Sequence, residues 1–175
     1  MNFERACTLI KAEVSQFQVN NLDSVEATYS CLEKSERIFI LAAGRSLLMM
    51  KGFAMRLMHL GYEVHVLDEI TCPALTEEDA LFIASGSGST AGIIEKAKKA
   101  KGIGASIIVW TQSPNSPLAE LSDVCVPMMK QISNQPGASL FEQSLLLALD
   151  AFIAAIMEEK QLPPDVVYKR HANLE

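Results

Sequence analysis

The feature that most constrains this chain is the alternation of short apolar segments with longer segments of helical periodicity. Five apolar runs rich in β-forming residues cover 37–42, 63–67, 80–84, 105–110 and 123–127. Strands that alternate with helices indicate βαβ units and a parallel sheet. Because the predicted strands are apolar throughout, both faces of that sheet must be covered. The right-handed crossover rule then favours a flavodoxin-like, doubly wound five-stranded parallel sheet in a three-layer α/β/α sandwich.

Helical segments flank and separate these strands. Apolar spacing predicts helices over 3–17, 46–60 and 91–101, and a long apolar helix over 138–159. Asp23 is the predicted N-cap of a further helix that runs to about Lys34, and Gly61 and Gly102 are expected to end the two middle helices. The chain has the length of one domain, 1–175, with leading helices over 1–36, a sheet core over 37–127, the long helix over 138–160 and a tail over 161–175.

Composition and charge exclude several functional classes. The chain is 49% hydrophobic with a net charge of −6, so it is too apolar for intrinsic disorder and too acidic for a typical nucleic-acid binder. The most apolar stretch, 144–157, is interrupted by Asp150 and is shorter than a membrane span of about 20 residues. Four scattered cysteines form no CxxC pair and no metal-ligand set, which is typical of buried, reduced thiols in a cytoplasmic protein. The acidic run at 77–79 is expected to form a surface turn.

The long helix over 138–159 is apolar on nearly all of its faces. A single sheet face would not cover such a helix, so burial against another subunit is the simplest explanation. The alternative is a helix buried deep in the core of one chain.

Two loops are placed to bind a ligand, because ligands of open parallel sheets bind outside the carboxyl ends of the strands. The first loop, 42–46, contains Gly44, Arg45 and Ser46. The second is the stronger signal, and it consists of Ser85, Gly86, Ser87, Gly88, Ser89 and Thr90. Its glycines let backbone N–H groups turn inward, its hydroxyls donate, and the following helix adds a positive dipole end. These features predict a neutral phosphate-binding loop; the alternative is an ordinary helix N-cap.

The type of phosphate ligand follows from what the second loop lacks. No GxxxxGK[ST] motif is present, which argues against a nucleoside triphosphate. Residues 86–91 match G-x-G-x-x-A, but the next strand ends in Trp-Thr-Gln-Ser at 110–113, without the acid that a dinucleotide site requires. A small phosphorylated metabolite is therefore favoured.

Glu142 is the catalytic candidate that the pattern offers. It lies near the start of the long apolar helix, where partial shielding from water suits a general base. The alternative is an acid placed at a helix N-terminus to complement the dipole. His59 and His65 are expected to be structural, and His171 lies in a polar tail that is expected to be solvated.

Six segments resemble one known family. They are AGRS at 43–46, FAMRLMHLG at 53–61, SGSG at 85–88, SPNSPLA at 113–119, LFEQ at 140–143 and KRHANLE at 169–175. Together they are similar to the sugar isomerase (SIS) domain family, and most closely to its 6-phospho-3-hexuloisomerase branch in the ribulose monophosphate pathway of formaldehyde fixation. The sequence departs from the usual pattern at Ala42 and Leu47, where the family has glycine, and at Ser89, where the family has a charged or polar residue that is often Glu.

The resemblance implies an activity and a set of roles. It implies interconversion of D-arabino-3-hexulose 6-phosphate and fructose 6-phosphate through a 2,3-enediol, without metal or cofactor, by a homo-oligomer, either a dimer or the commoner tetramer. Ser46, Ser85, Ser87 and Thr90 would hold the phosphate, and Glu142 would be the acid/base. His171 would complete the site, in its own or a neighbouring subunit. A SIS isomerase for another phosphosugar and a non-catalytic sugar-phosphate sensor are the alternatives.

Overall fold

A computed structural model describes residues 2–19 and 21–174; Met1, Asn20 and Glu175, the last residue of the tail motif, lie outside it. Five parallel strands form one sheet in the order β2-β1-β3-β4-β5. Their bounds are β1 (Ile38–Leu41), β2 (Val64–Val66), β3 (Ala80–Ala84), β4 (Ser106–Thr111) and β5 (Val124–Pro127). This order is the flavodoxin-like one, so the predicted fold class is confirmed.

Helices cover both faces of the sheet. Their bounds are α1 (Phe3–Val14), α2 (Leu22–Lys34), α3 (Gly44–Leu60), α4 (Ala91–Ile103), α5 (Pro117–Leu121), α6 (Ser139–Glu159) and α7 (Pro164–Tyr168). Alternate residues of β3 point into two hydrophobic cores, one on each face of the sheet. In the first core Phe82 packs with Phe53 of α3, and in the second Leu81 packs in the cluster around Ile93 of α4. Full burial of such a side chain contributes about 1.5–3 kcal/mol.

The position of a crevice in the fold is set by the connections that leave β1 and β3. These strands are neighbours, with Ile40 opposite Phe82 in the register. The helix after β1, α3, packs in the first core, whereas the helix after β3, α4, packs in the second. The two connections therefore diverge to opposite faces, which opens a crevice at the carboxyl edge of the sheet.

Several helix ends differ from the predicted ones. The N-cap of α2 is Asn21 rather than Asp23, because the Asn21 side chain accepts a hydrogen bond from Ser24 N at 3.0 Å. Helix α4 continues through Gly102 to Ile103 and is capped by Gly104, whose φ of +102° gives the left-handed cap. Helix α3 begins at Gly44, before the predicted residue 46, and ends at Leu60 with Gly61 as its cap, as predicted. Helix α1 ends at Val14, before residue 17, and α7 was not predicted.

Helix α6 is the central helix of the first core. It has 21 residues, more than the apolar stretch 144–157, and among residues 2–19 and 21–174 it is the one helix that is long and apolar enough to cross a membrane, by length and composition alone. More than half of its most apolar window is nevertheless buried within the fold, as in the core helix of a globular protein. The four cysteines are free, as predicted, but half-buried rather than buried.

The acidic run at 77–79 contains a buried residue rather than a plain surface turn. The side chain of Asp79 is fully buried and pairs with Arg37 NH2 at 2.8 Å. Asp79 also accepts hydrogen bonds from the backbone N–H and hydroxyl of Thr76, at 2.6 and 2.9 Å. Burial would raise the pKa of Asp79, but the bonds from Arg37 and Thr76 outweigh it and hold that pKa below its ordinary value.

Candidate active site

A cavity of about 350 Å³ lies in the crevice at the carboxyl edge of the sheet. Three stretches of chain line it: 43–46 after β1, 84–87 with Thr90 and Ile93 after β3, and Ala138 with Phe141 and Glu142 at the start of α6. The lining includes eight of the residues singled out from the sequence, which are Gly44, Arg45, Ser46, Ser85, Gly86, Ser87, Thr90 and Glu142. The fold therefore brings both predicted loops and the candidate base to one place.

Three helices begin at this cavity without a capping side chain. Neither Ala43 before α3, Thr90 before α4 nor Ala138 before α6 forms a side-chain cap. Helices α1, α2 and α5 are capped, by Asn2, Asn21 and Ser116. Uncapped first-turn N–H groups and converging positive dipole ends attract an anion. The cavity thus favours a phosphate even though its serine loop has no basic side chain. Such a neutral site suits a chain with a net charge of −6.

The loop over 85–90 is held in shape by its own hydroxyls and by β4. Ser85 Oγ accepts a hydrogen bond from Gly88 N at 3.2 Å, and Ser87 Oγ accepts one from Ser89 N at 3.3 Å. Thr111 and Ser113 both donate to the Gly86 carbonyl, at 3.4 and 3.3 Å. A loop fixed in this way presents its remaining donors in a defined geometry.

Two members of the predicted loop lie outside the cavity lining. Gly88 is buried behind the loop with a φ of +62°, and a Cβ built on it would lie 1.9 Å from Ser116 Oγ. Ser89 is exposed. Gly88 therefore shapes the loop, whereas Ser85, Ser87 and Thr90 face the ligand space.

Glu142 is paired with Arg45 across the cavity mouth. Arg45 Nε lies 3.0 Å from Glu142 Oε2, and the carboxylate side chain is 8% exposed against 59% for the guanidinium. Within the described residues Oε2 accepts no hydrogen bond of good geometry, so this ion pair is what balances its charge. Arg45 NH1 also donates to Ser139 Oγ at 3.0 Å. The arrangement is a buried carboxylate next to a largely exposed cation.

His171 lies far from this cavity within the chain. Its ring centroid is 5.2 Å from that of His59 in the last turn of α3 and 5.9 Å from that of Tyr168. The cavity is at the other end of α3, which is about 22 Å away at about 1.5 Å per residue. His59 is buried as expected, and burial, with the nearby His171 and Arg56, lowers its pKa. The structure therefore brings His171 to His59 and not to Glu142 of the same chain.

Several lining residues carried no signal that pattern reasoning could use. Phe141, Ala138 and Ile93 line the cavity as apolar residues among many others. Ser139 could have been noticed, because it precedes Glu142 by three residues and so shares its helix face. Between residues 2–19 and 21–174 no group of three or more His, Cys, Asp or Glu side chains is placed to hold a metal ion.

Comparison with known proteins identifies close relatives over most of the chain. The family model of the SIS domain matches residues 31–155. A 3-hexulose-6-phosphate isomerase of Bacillus subtilis (strain 168) is 44% identical over 150 residues, which are 81% of each chain. Another, from Mycobacterium gastri, is 42% identical over 147 residues, 79% of this chain and 74% of that one. A solved structure from Methanococcus jannaschii, for which the function of 3-hexulose-6-phosphate isomerase is inferred, has a TM-score of 0.86 and 32% identity over 98% of this chain and 99% of that one.

Proposed function

This chain belongs to the SIS-domain family, and we propose that it is an isomerase that interconverts 3-hexulose 6-phosphate and fructose 6-phosphate. The observation that carries the proposal is that one cavity holds both a hydroxyl-rich loop at a helix N-terminus and a single buried carboxylate, Glu142. Relatives at 42–44% identity bear the name of this activity. The substrate is D-arabino-3-hexulose 6-phosphate, as the motifs imply.

The phosphate binds at the serine loop. Ser85, Ser87 and Thr90 lie at the start of α4, and Ser46 lies in the first turn of α3. Hydroxyls and uncapped N–H groups from two helices suit a terminal phosphomonoester, which offers several acceptor oxygens. Binding at this end fixes the position of C2 and C3 relative to Glu142.

Glu142 moves the proton between the two carbons. It removes the proton from C2 of the 3-ketose, the C2–H electron pair forms the C2–C3 double bond, and the C3 carbonyl oxygen takes up a proton to give a 2,3-enediol. Return of a proton to C3 and loss of the O2 proton leave the carbonyl at C2, so the step has no net oxidation. One carboxylate above the C2–C3 edge is sufficient for the carbon-bound proton.

Arg45 places a cation beside the base. It lies next to Glu142 Oε2 at the cavity, and its guanidinium is more than half exposed, so it can also contact an anionic substrate there. A substrate held by Arg45 and by the serine loop has C2 and C3 positioned near the carboxylate.

The second proton carrier is His171 of a neighbouring copy. His171 moves a proton between O2 and O3, and in its own chain it lies beside His59 at the far end of α3. A partner is also indicated by α6, where Leu146, Leu147, Ala151, Ala154 and Ala155 remain exposed on a helix that is otherwise buried. The working unit is therefore a homo-oligomer, a dimer or tetramer in the cytoplasm, within the ribulose monophosphate pathway of formaldehyde fixation.

The decisive test is the position of solvent exchange in fructose 6-phosphate. In heavy water, a 2,3-enediol replaces the C3 proton by deuterium, whereas a 1,2-enediol replaces a C1 proton. We expect the purified protein to remove the C3 proton signal from the NMR spectrum and to leave the C1 protons in place. Exchange at C1 would indicate a different phosphosugar isomerase, and no exchange with intact ligand binding would indicate a sensor.

A further inference from the structure

Glu13 is a buried carboxylate at a position where a helix disfavours one. It lies in the last turn of α1, where the negative end of the helix dipole repels an acid. Three donors from one distant segment converge on it: Ser133 Oγ at 2.6 Å, Asn134 N at 2.9 Å and Gln135 Nε2 at 2.9 Å. These hydrogen bonds, that from Ser133 above all, hold the pKa of Glu13 below its ordinary value. The site is therefore built for a charged carboxylate.

The middle of the segment that Glu13 binds is tied to the end of α1. Residues 128–138 join β5 to α6 without a helix or strand of their own, apart from one antiparallel bridge between Met128 and Val19. Gln131 adds a hydrogen bond from its amide to the Gln16 carbonyl at 2.8 Å. The start of the segment is also bound to the end of β4, where Gln112 donates to the Met129 carbonyl at 3.1 Å. Residues 131–135 are thus connected to the stretch over 13–19, which helps to set the path of the segment.

The same segment connects directly to the cavity. Gln135 and Gln143 exchange two side-chain hydrogen bonds, at 2.9 and 3.0 Å, and Gln143 follows Glu142 on α6. Ser139 Oγ donates to the Pro136 carbonyl at 2.7 Å and accepts from Arg45 at 3.0 Å. Arg45 in turn contacts Glu142. Polar contacts thus link Glu13 to Gln135, and after the peptide bond to Pro136 they continue through Ser139 and Arg45 to the candidate base.

We propose that Glu13 is a positioning residue for the active site. It holds residues 133–136 in place, so that Ser139, Arg45 and Glu142 keep their mutual geometry. The inference rests on the function proposed above. Glu13 makes no contact with the phosphate loop over 85–90, so its effect falls on the chemical step rather than on phosphate binding. Misplacement of a reacting group by about 1 Å costs roughly 100-fold in rate, so a modest shift of this segment is sufficient.

Glu13→Gln tests the proposal with little change of shape, because it replaces one carboxylate oxygen, a hydrogen-bond acceptor, by an NH2 group that can only donate. We expect the rate of C3 exchange per phosphate-binding site to fall about tenfold or more. The Kd for inorganic phosphate should stay within about twofold of the wild type, and the backbone amides of residues 133–135 should exchange faster with solvent. Glu4→Gln, an exposed acid on the same helix, is the matched control and should match the wild type in all three measurements.

Each outcome bears on one statement. Faster amide exchange at 133–135 with an unchanged turnover rate would overturn the positioning role, because it would show a purely structural anchor. If Glu13→Gln does not fold, the pair Ser133→Ala and Gln135→Ala removes the two side-chain donors and leaves only the backbone N–H of Asn134. A loss of turnover with unchanged phosphate binding would then support the positioning role, and unchanged turnover would overturn it. A wild type without C3 exchange overturns the proposed function itself, which is a different result from a wild type and a Glu13→Gln variant of equal activity.

Discussion

At the scale of single residues, Gly88 shows how one position fixes the phosphate loop. Its φ of +62° lies in the left-handed region, and a Cβ would overlap Ser116 Oγ at 1.9 Å. Either feature alone favours glycine. Because both apply, any other residue at this position requires the loop to shift. Because the Gly88 N–H also donates to Ser85 Oγ, that shift reaches a residue of the cavity lining.

Gly88→Ala should therefore damage stability and binding together. We expect the free energy of unfolding to fall by more than about 2 kcal/mol, from backbone strain and overlap. Affinity for fructose 6-phosphate should fall at least tenfold in isothermal titration. Gly92→Ala is the matched control, since it lies in helix α4 with open space around its Cβ position, and it should be neutral or slightly stabilising. Equal behaviour of the two variants would contradict this account of the loop.

Glu142→Gln separates chemistry from binding at the same site. The amide keeps the size of the side chain but cannot accept the C2 proton, so kcat should fall by about 10²- to 10⁴-fold. Binding of fructose 6-phosphate should persist, because the phosphate loop is untouched. Glu158→Gln, on the exposed side of the same helix, serves as the control. A Glu142→Gln variant with full activity would remove the carboxylate from the mechanism.

At the scale of elements, helix α6 has two distinct faces. One face carries Leu145, Leu149 and Phe152 into the core, and the other leaves Leu146 and Leu147 about 40% exposed. Two neighbouring exposed leucines on an otherwise apolar helix are typical of a subunit interface. The first turn of the same helix holds Ser139 and Glu142, so the proposed interface and the candidate site share one helix.

Leu147→Glu tests the interface directly. A charge buried against a partner costs several kcal/mol, so we expect dissociation to smaller species in sedimentation experiments, with the fold of each chain retained by circular dichroism. Lys98→Glu, a charge reversal on α4, should not change the assembly. A wild-type protein that sediments as a monomer at micromolar concentration would argue against the proposed oligomer.

At the scale of the whole molecule, the distance between His171 and the cavity makes one chain incomplete under the proposed mechanism. A site that combines Glu142 of one copy with His171 of another should be open to complementation. Glu142→Gln and His171→Ala should each be nearly inactive alone, and co-expressed mixed oligomers should regain a measurable share of wild-type activity. Mixed oligomers as inactive as the separate variants would place both residues in one chain or exclude His171.

Acid stability is a further property of the whole fold, and Asp79 governs part of it. Its folded-state pKa is lowered by Arg37 and Thr76 despite burial, so its contribution is complete above the unfolded pKa of about 4 and is lost as the pH falls through the folded value. Asp79→Ala should cost about 3 kcal/mol at pH 7, because it leaves Arg37 without its partner. Urea unfolding of both proteins at pH 7 and pH 3 should show this difference shrinking at pH 3. A difference independent of pH would contradict the assignment.

Local pattern was sufficient for the sheet and for most of the candidate site. The strand over 80–84 is predicted to the residue, because an unbroken apolar run between polar flanks has few other solutions. The loops over 42–46 and 85–90 were placed at the cavity because the carboxyl ends of parallel strands share one edge. Helix ends were less certain, since competing caps such as Asn21 and Asp23 lie within two residues of each other.

The sequence by itself determined the fold class, and it located the serine-rich candidate loop and the candidate carboxylate, since periodicity and glycine or serine content are properties of neighbouring residues. Tertiary structure decided that Asp79 is buried against Arg37, that Glu13 binds residues 133–135, and that His171 lies beside His59 rather than Glu142. These contacts join residues 42 to 122 positions apart. They depend on how elements pack and leave no periodic trace in the sequence, so only the folded chain shows them.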